Sequence, residues 1–286
     1  MAERKTETLI EGLCFGEGPR WRDGRLWFSD MHDHRILTVD LDGNVETVLE
    51  VPTQPSGLGW LPGGDLLFVS MLDRRLMRLG PDGPVLHADL SGFTDFPCND
   101  MVVDAAGTAY VGNFGFDSGA VRRGEAEAAG TRLIRVTASG EASQVGVPLI
   151  FPNGTVITPD AKTLIVAETF GFRLSAFDIA PDGSLSGHRI WADLGKMHPD
   201  GMCLDAEGAI WVAVPGSHAV VRVAGGGELI ETIPLENHSY ACMLGGDDGR
   251  TLFVLTAETS GAEKTRALRS GRVEIVRVDV PGVGLP

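Results

Sequence analysis

The chain has 286 residues, with 24 lysines and arginines against 39 aspartates and glutamates, for a formal charge of −15. That balance excludes nucleic acid and anionic membrane surfaces as partners, because phosphate recognition draws on clustered cations, and the basic pairs Arg74-Arg75 and Arg122-Arg123 stand alone. Hydrophobic residues at 43% and charged residues at 22% suit a chain with a sizeable core, while 38 glycines and 16 prolines point to many turns.

Residues 1–12 hold no apolar run that reads as a secretion signal, and no segment approaches the ~18 uncharged apolar residues of a membrane helix, so a cytoplasmic protein is expected. Cys14, Cys98, Cys203 and Cys242 are scattered without a Cys-x-x-Cys pair. Four reduced thiols are expected rather than a zinc site or a disulfide framework.

In chain order, six related segments begin at Glu17 (EGPRWRDGRLWFSD), Ser56 (SGLGWLPGGDLLFVS), Asn99 (NDMVVDAAGTAYVGN), Asn153 (NGTVITPDAKTLIVAE), Asp200 (DGMCLDAEGAIWVAV) and Ala241 (ACMLGGDDGRTLFVL). Each opens with a short apolar strand, turns at a dipeptide such as Asp-Gly or Glu-Gly, and enters a strand rich in β-branched and aromatic residues. A third strand follows in every unit, over residues 35–40, 75–80, 132–137, 173–178, 220–224 and 273–279. Turns such as Asp42-Gly43, Asp82-Gly83 and Asp182-Gly183 then lead to a fourth. Four antiparallel strands at a period near ~40 residues are the signature of propeller blades. The expected fold is therefore all-β, a six-bladed β-propeller of four-stranded blades around a central channel, forming one domain over residues 1–286. The sixth unit ends near Pro281 without a fourth strand, and a strand near residues 6–10 is placed to close the ring. Only residues 122–130 and 258–270 read as short helices or loops.

The six segment starts are equivalent positions, so they converge on one mouth of the channel. Among them Glu17, Asn99, Asn153 and Asp200 carry side-chain oxygens, and charges brought together there need a partner. One divalent cation supplies it. Oxygen-only ligation favours calcium, magnesium or manganese over zinc. His198 and His238 lie two and three residues before segment starts and reach toward the mouth, whereas His32, His34, His87, His188 and His218 are given no role. Ser56 and Ser239 lack a nucleophile-elbow context, and Cys98 reads as a small buried thiol. Glu168 and Asn113, at the ends of second strands, read as turn residues or as groups facing the pocket from farther out.

Phe15-Gly16-Glu17-Gly18-Pro19, Phe151-Pro152-Asn153-Gly154, Pro199-Asp200-Gly201-Met202 and Cys242-Met243-Leu244-Gly245-Gly246 resemble motifs of the gluconolactonase, regucalcin (senescence marker protein) and luciferin-regenerating enzyme family. The resemblance covers nearly the whole chain. It implies a six-bladed propeller with one divalent metal, calcium first and magnesium, manganese or zinc as alternatives, and hydrolysis of a lactone. It implies Glu17, Asn153 and Asp200 as metal ligands and Asn99, followed by Asp100, as a group beside the metal that touches substrate or water. Where sugar-lactone members carry an arginine two residues before that Asn, this sequence has Pro97. A less polar lactone or related ester is implied, in a pocket lined by Phe93, Phe96, Phe114, Phe116 and Phe151.

For this chemistry Asp200 is the candidate general base, and Asn99, Asp100, Phe96, His198 and His238 are the candidate substrate contacts. The partner is a small molecule; the sequence fixes no oligomeric state. Related channel chemistry (a phosphotriesterase, isomerase or condensing enzyme) and a non-enzymatic metal-binding propeller are the alternatives.

Overall fold

A computed structural model describes residues 4–285. The alternating patterns and tight turns fold into six four-stranded antiparallel sheets, the six-bladed β-propeller that the repeat predicts. The innermost strands are Gly16–Arg22, Pro55–Trp60, Cys98–Val103, Pro152–Ile157, Met202–Leu204 and His238–Gly245. Each touches the next around the axis, and the first touches the last. Apolar layers between blades form the core. Phe28, Phe68, Tyr110, Trp211 and Phe253, on second strands, are fully buried. Each contributes on the order of 2–3 kcal/mol to holding a blade against its neighbour.

Five blades take all four strands from consecutive sequence. In the sixth, the outermost strand is Glu7–Leu13, paired antiparallel with Gly271–Arg277, so that the chain's beginning and end share one sheet. At the other end of the chain, Gly282 donates to the Gly249 carbonyl, Val283 to Leu204, and Leu285 exchanges bonds with Ile157. These partners lie at or beyond the far ends of inner strands, so the tail crosses the channel end opposite Glu17 and Asp200.

Among the described residues two α-helices interrupt the pattern, α1 at Ser118–Arg122 in blade three and α2 at Ala262–Leu268 in blade six, each between the second and third strands. The first sits earlier than expected. The Asp117 carboxylate accepts the Ala120 N–H at 2.9 Å and starts the helix, and Gly124 at φ +72° follows its end, leaving residues 123–130 irregular. All four cysteines are free and buried, with Cys203 and Cys242 sulfurs 4.0 Å apart. No helix among the described residues is long and apolar enough to cross a membrane.

Candidate metal centre and substrate cavity

Glycine follows three of the four floor residues, Glu17, Asn153 and Asp200, and lets their strands close in. Gly18 has φ +55°, and a Cβ there would stand 2.8 Å from the Ser56 carbonyl oxygen; a Cβ on Gly154 would stand 2.6 Å from that of Asp200. Neighbouring inner strands therefore approach backbone to backbone at this mouth. Glu17, Asn99, Asn153 and Asp200 consequently share one cavity of about 670 Å³ and form its floor. All four are buried.

The floor is hydrogen-bonded in part. Asn99 donates to the Pro152 carbonyl at 3.4 Å, and Asn153 donates to Thr169 Oγ1 at 3.2 Å, which in turn donates to the Pro199 carbonyl. The Gly18 N–H reaches Glu17 Oε2 at 3.3 Å. Asp200 Oδ1 is buried with no partner. Burial, then the negative charges of Asp200 and Asp100, push the Glu17 carboxyl well above its ordinary range. Asp200 is raised for the same reasons, burial first and then the charge of Asp100, with Arg122 offsetting part of it. A buried all-oxygen set with two repelling carboxylates and an orphaned oxygen fits a hard divalent cation.

Asp100 does not line the cavity. Its carboxylate pairs with Arg20 at 3.0 Å and is buried between blades, because successive side chains on a strand leave on opposite sides and Asn99 takes the channel side. Arg20 also donates to the carbonyls of Pro19, Leu58 and Met101. Ser56 and Ala241 are buried outside the lining.

The walls come from two sources. His198 and His238 line the cavity from the segments entering blades five and six. Phe15, Gln54, Pro97 and Phe151 line it likewise from just before inner strands, and the second source is the turn after each second strand, where His32, Leu72, Phe170, Gly216 and Thr259 all stand two residues past the strand's end. Sequence reading gave His32 no role and omitted Phe170, yet this repeated offset is visible once second strands are aligned. In blade three the offset falls on Gly115, outside the lining, and α1 supplies Ser118 and Arg122 instead.

Phe114 stacks on Phe151 at 4.5 Å between centroids, and Phe170 packs on Phe151 at 5.4 Å. Phe15 and Tyr240, 4.6 Å apart between centroids, complete the aromatic lining. Phe96, expected to touch substrate, lies outside it, as do Phe93, packed on the core, and Phe116, buried behind Phe151. Glu168 and Asn113 are used inside their blades: Glu168 binds Arg173, Ser175 and the Ile150 N–H, and Asn113 binds Thr131 and the Arg132 carbonyl. His32 donates or accepts at Thr265 Oγ1, 2.7 Å away on α2, and burial pushes its imidazole down to about 4.

A second acidic cluster, Cys14, Asp30 and Asp33, lies outside the cavity. Arg269 pairs with Asp33 at 3.0 Å and reaches the Cys14 sulfur at 3.4 Å, Arg35 also pairs with Asp33, and Asp30 accepts the Phe15 N–H at 2.8 Å. Two guanidinium groups already compensate these carboxylates, so it is an ion-pair cluster.

The chain is 26% identical to 6-deoxy-6-sulfogluconolactonase of Pseudomonas putida over 95% of this chain and 94% of that protein. It is 26% identical to a pentonolactonase of Haloferax volcanii, over 97% and 95%. The crystal structure of a calcium-binding protein, regucalcin of Agrobacterium tumefaciens, superposes with a TM-score of 0.80 at 24% identity, covering 100% of this chain and 96% of that one. The model of the SMP-30/gluconolactonase/LRE-like region matches residues 15–258, and with six blades and the cavity floor in place the chain belongs to that family.

Proposed function

We propose that this cavity hydrolyses a lactone with one divalent cation held by Glu17, Asn153 and Asp200. The observation that carries the reading is the buried, unpartnered Asp200 Oδ1 on a floor of oxygen donors contributed by different blades. The lactonase names of the relatives in Pseudomonas and Haloferax support the reaction class, and the calcium-binding regucalcin supports calcium as the ion.

The cation, when bound, supplies Lewis acidity toward a carbonyl oxygen. The chain's own groups do the rest. Asn99, anchored through its Nδ2, orients the ester at the floor. Asp200 takes the proton of the attacking water as the water oxygen bonds to the carbonyl carbon. The ring C–O bond then breaks, and the same proton passes to the leaving alkoxide, giving the hydroxy acid. His198 and His238 stand on the wall beside the substrate, and Phe15, Phe114, Phe151 and Phe170 cover its apolar part and exclude water. That aromatic wall, with Pro97 also lining, favours a lactone less polar than a sugar lactone.

The test is a panel of sugar, alkyl and aromatic lactones, with a phosphotriester alongside. Chelated protein is re-supplied separately with calcium, magnesium, manganese or zinc. Turnover restored by metal, fastest on the less polar lactones, is the expected result. Folded, metal-loaded protein that opens none of them overturns the reading.

A further inference from the structure

Arg122 is the one lysine or arginine among the residues lining the cavity, whose other charged lining groups are Glu17, Asp200 and Glu258. It projects from α1 in blade three and donates to Ser260 Oγ at 3.4 Å, a residue of blade six on the opposite side of the ring. Its guanidinium carbon lies 6.0 Å from the centroid of Phe170, in blade four. This exposed cation therefore stands at the mouth within reach of groups from two other blades.

What it lacks is a direct ion pair, since its attraction to Asp200 acts at longer range. The ion pairs among the described residues engage Arg20, Arg35, Arg173, Arg222 and Arg269, and even the neighbouring Arg123 pairs with Glu125, but none of them includes Arg122. In a chain of charge −15, an arginine left with one neutral hydroxyl at the entrance of a cavity is available to a ligand. A guanidinium offers parallel N–H donors that match a carboxylate, and one placed against an aromatic face loses less orientational freedom on binding.

We infer that Arg122 is a specificity-determining residue that selects lactones bearing a carboxylate distal to the ring carbonyl. This rests on the lactone reading of the same cavity, whose aromatic wall takes an apolar body in place of sugar hydroxyls and leaves the charge to the substrate's far end. The ring lies at the floor with Asn99 and Asp200, the aromatic wall covers the middle, and the pendant carboxylate exchanges Ser260 for itself at Arg122.

The experiment compares a lactone carrying a pendant carboxylate with its primary amide, a neutral ligand of equal size, in the wild-type protein and in Arg122→Gln, Arg122→Lys and Arg122→Glu. The wild-type kcat/KM ratio is expected to favour the carboxylate by about tenfold, through KM, and to shrink in high salt. Arg122→Gln brings the ratio near one, Arg122→Lys restores part of it and Arg122→Glu inverts it. A wild-type ratio near one, or one that these substitutions leave unmoved, overturns the inference while leaving lactone hydrolysis standing. If no lactone is opened at all, the functional reading fails and calorimetry decides Arg122 separately. The ring-opened hydroxy dicarboxylate and its monoamide are then titrated into wild-type and Arg122→Gln protein. Tighter binding of the dicarboxylate that is lost in the variant supports the role, and equal affinities overturn it.

Discussion

Under the proposed function Asp200 meets two demands, an oxygen free to contact a cation and a carboxylate able to accept a proton. Asp200→Asn keeps the shape and removes the second. Lactone kcat/KM is expected to fall roughly 10²–10⁴-fold, and full activity with metal still bound, measured by elemental analysis, would assign the base elsewhere. Beneath it, Arg20 answers the charge of Asp100 in a buried pair at 3.0 Å. Arg20→Met leaves that carboxylate uncompensated and should lower unfolding free energy by roughly 3–5 kcal/mol in urea titrations, while adding Asp100→Leu recovers much of it. His32 makes a prediction in pH. Its imidazole titrates near 4 in the fold, chiefly through burial and then the charges of Arg266 and His34, against 6.5 ordinarily. The unfolded chain therefore binds a proton between pH 6.5 and 4 that the fold refuses, so the contribution of His32 costs nothing above that window and lowers stability as pH drops through it, by roughly 2–4 kcal/mol. His32→Phe should flatten that limb, and parallel stability curves for variant and wild type would remove His32 from the account. The sequence made the floor legible because its residues recur at one repeat position. Asp100 was misjudged because adjacency in sequence is opposition on a strand, and His32 because a residue on a short turn carries no pattern by itself.

At the level of the element, the inner strand sets the geometry of the site. Its glycines stand where a methyl group would strike the neighbouring blade, and Gly154 is the clearest case, hemmed in by the Asp200 carbonyl, Gly201 and the Met202 nitrogen. Gly154→Ala should push blade five from blade four, lowering stability by roughly 1–3 kcal/mol and weakening calcium affinity measured by calorimetry. Gly63, with open space around its Cβ position, is the matched control, and Gly63→Ala should change neither. Equal behaviour of the two variants would mean that close approach at the axis is not what gathers the oxygens. Strands were readable because alternation and Asp-Gly turns act locally. The lining turns were harder, since what places His32, Leu72 and Phe170 in the cavity is the length of the second strand before them. Helix α1, expected within residues 122–130, stands at Ser118–Arg122: it is an insertion, so the repeat that places everything around it does not fix its bounds.

For the whole molecule, the question is what keeps a ring of six blades closed. Each joint between blades buries apolar layers, but blade six alone draws its strands from both ends of the chain, the strand Glu7–Leu13 completing its sheet before the chain enters blade one. Leu9 and Ile10 pack on the cluster that includes Phe28 and Phe253, and Leu13 is 5% exposed. Thr6 donates to Glu274, which also binds Thr256, and Arg4 pairs with Glu231 in the outer strand of blade five at 2.7 Å. Removing residues 1–12 deletes most of these contacts together and leaves Gly271–Arg277 as a bare edge with unpaired backbone groups. The loss of a strand's hydrogen bonds and apolar cover is expected to reach about 3–5 kcal/mol, a fall in Tm of roughly 10 °C for a chain of this size. An open edge also recruits a second one, so the truncated protein should elute partly as a dimer or aggregate in size-exclusion chromatography. A truncated chain that stays monomeric and melts with the full one would mean that three strands suffice in blade six and that the inter-blade layers alone close the ring. The proposed metal site discriminates further. Glu17 and Ala241 flank that joint, so a ring that opens there separates Glu17 from Asn153 and Asp200, and calcium affinity should fall with the melting temperature.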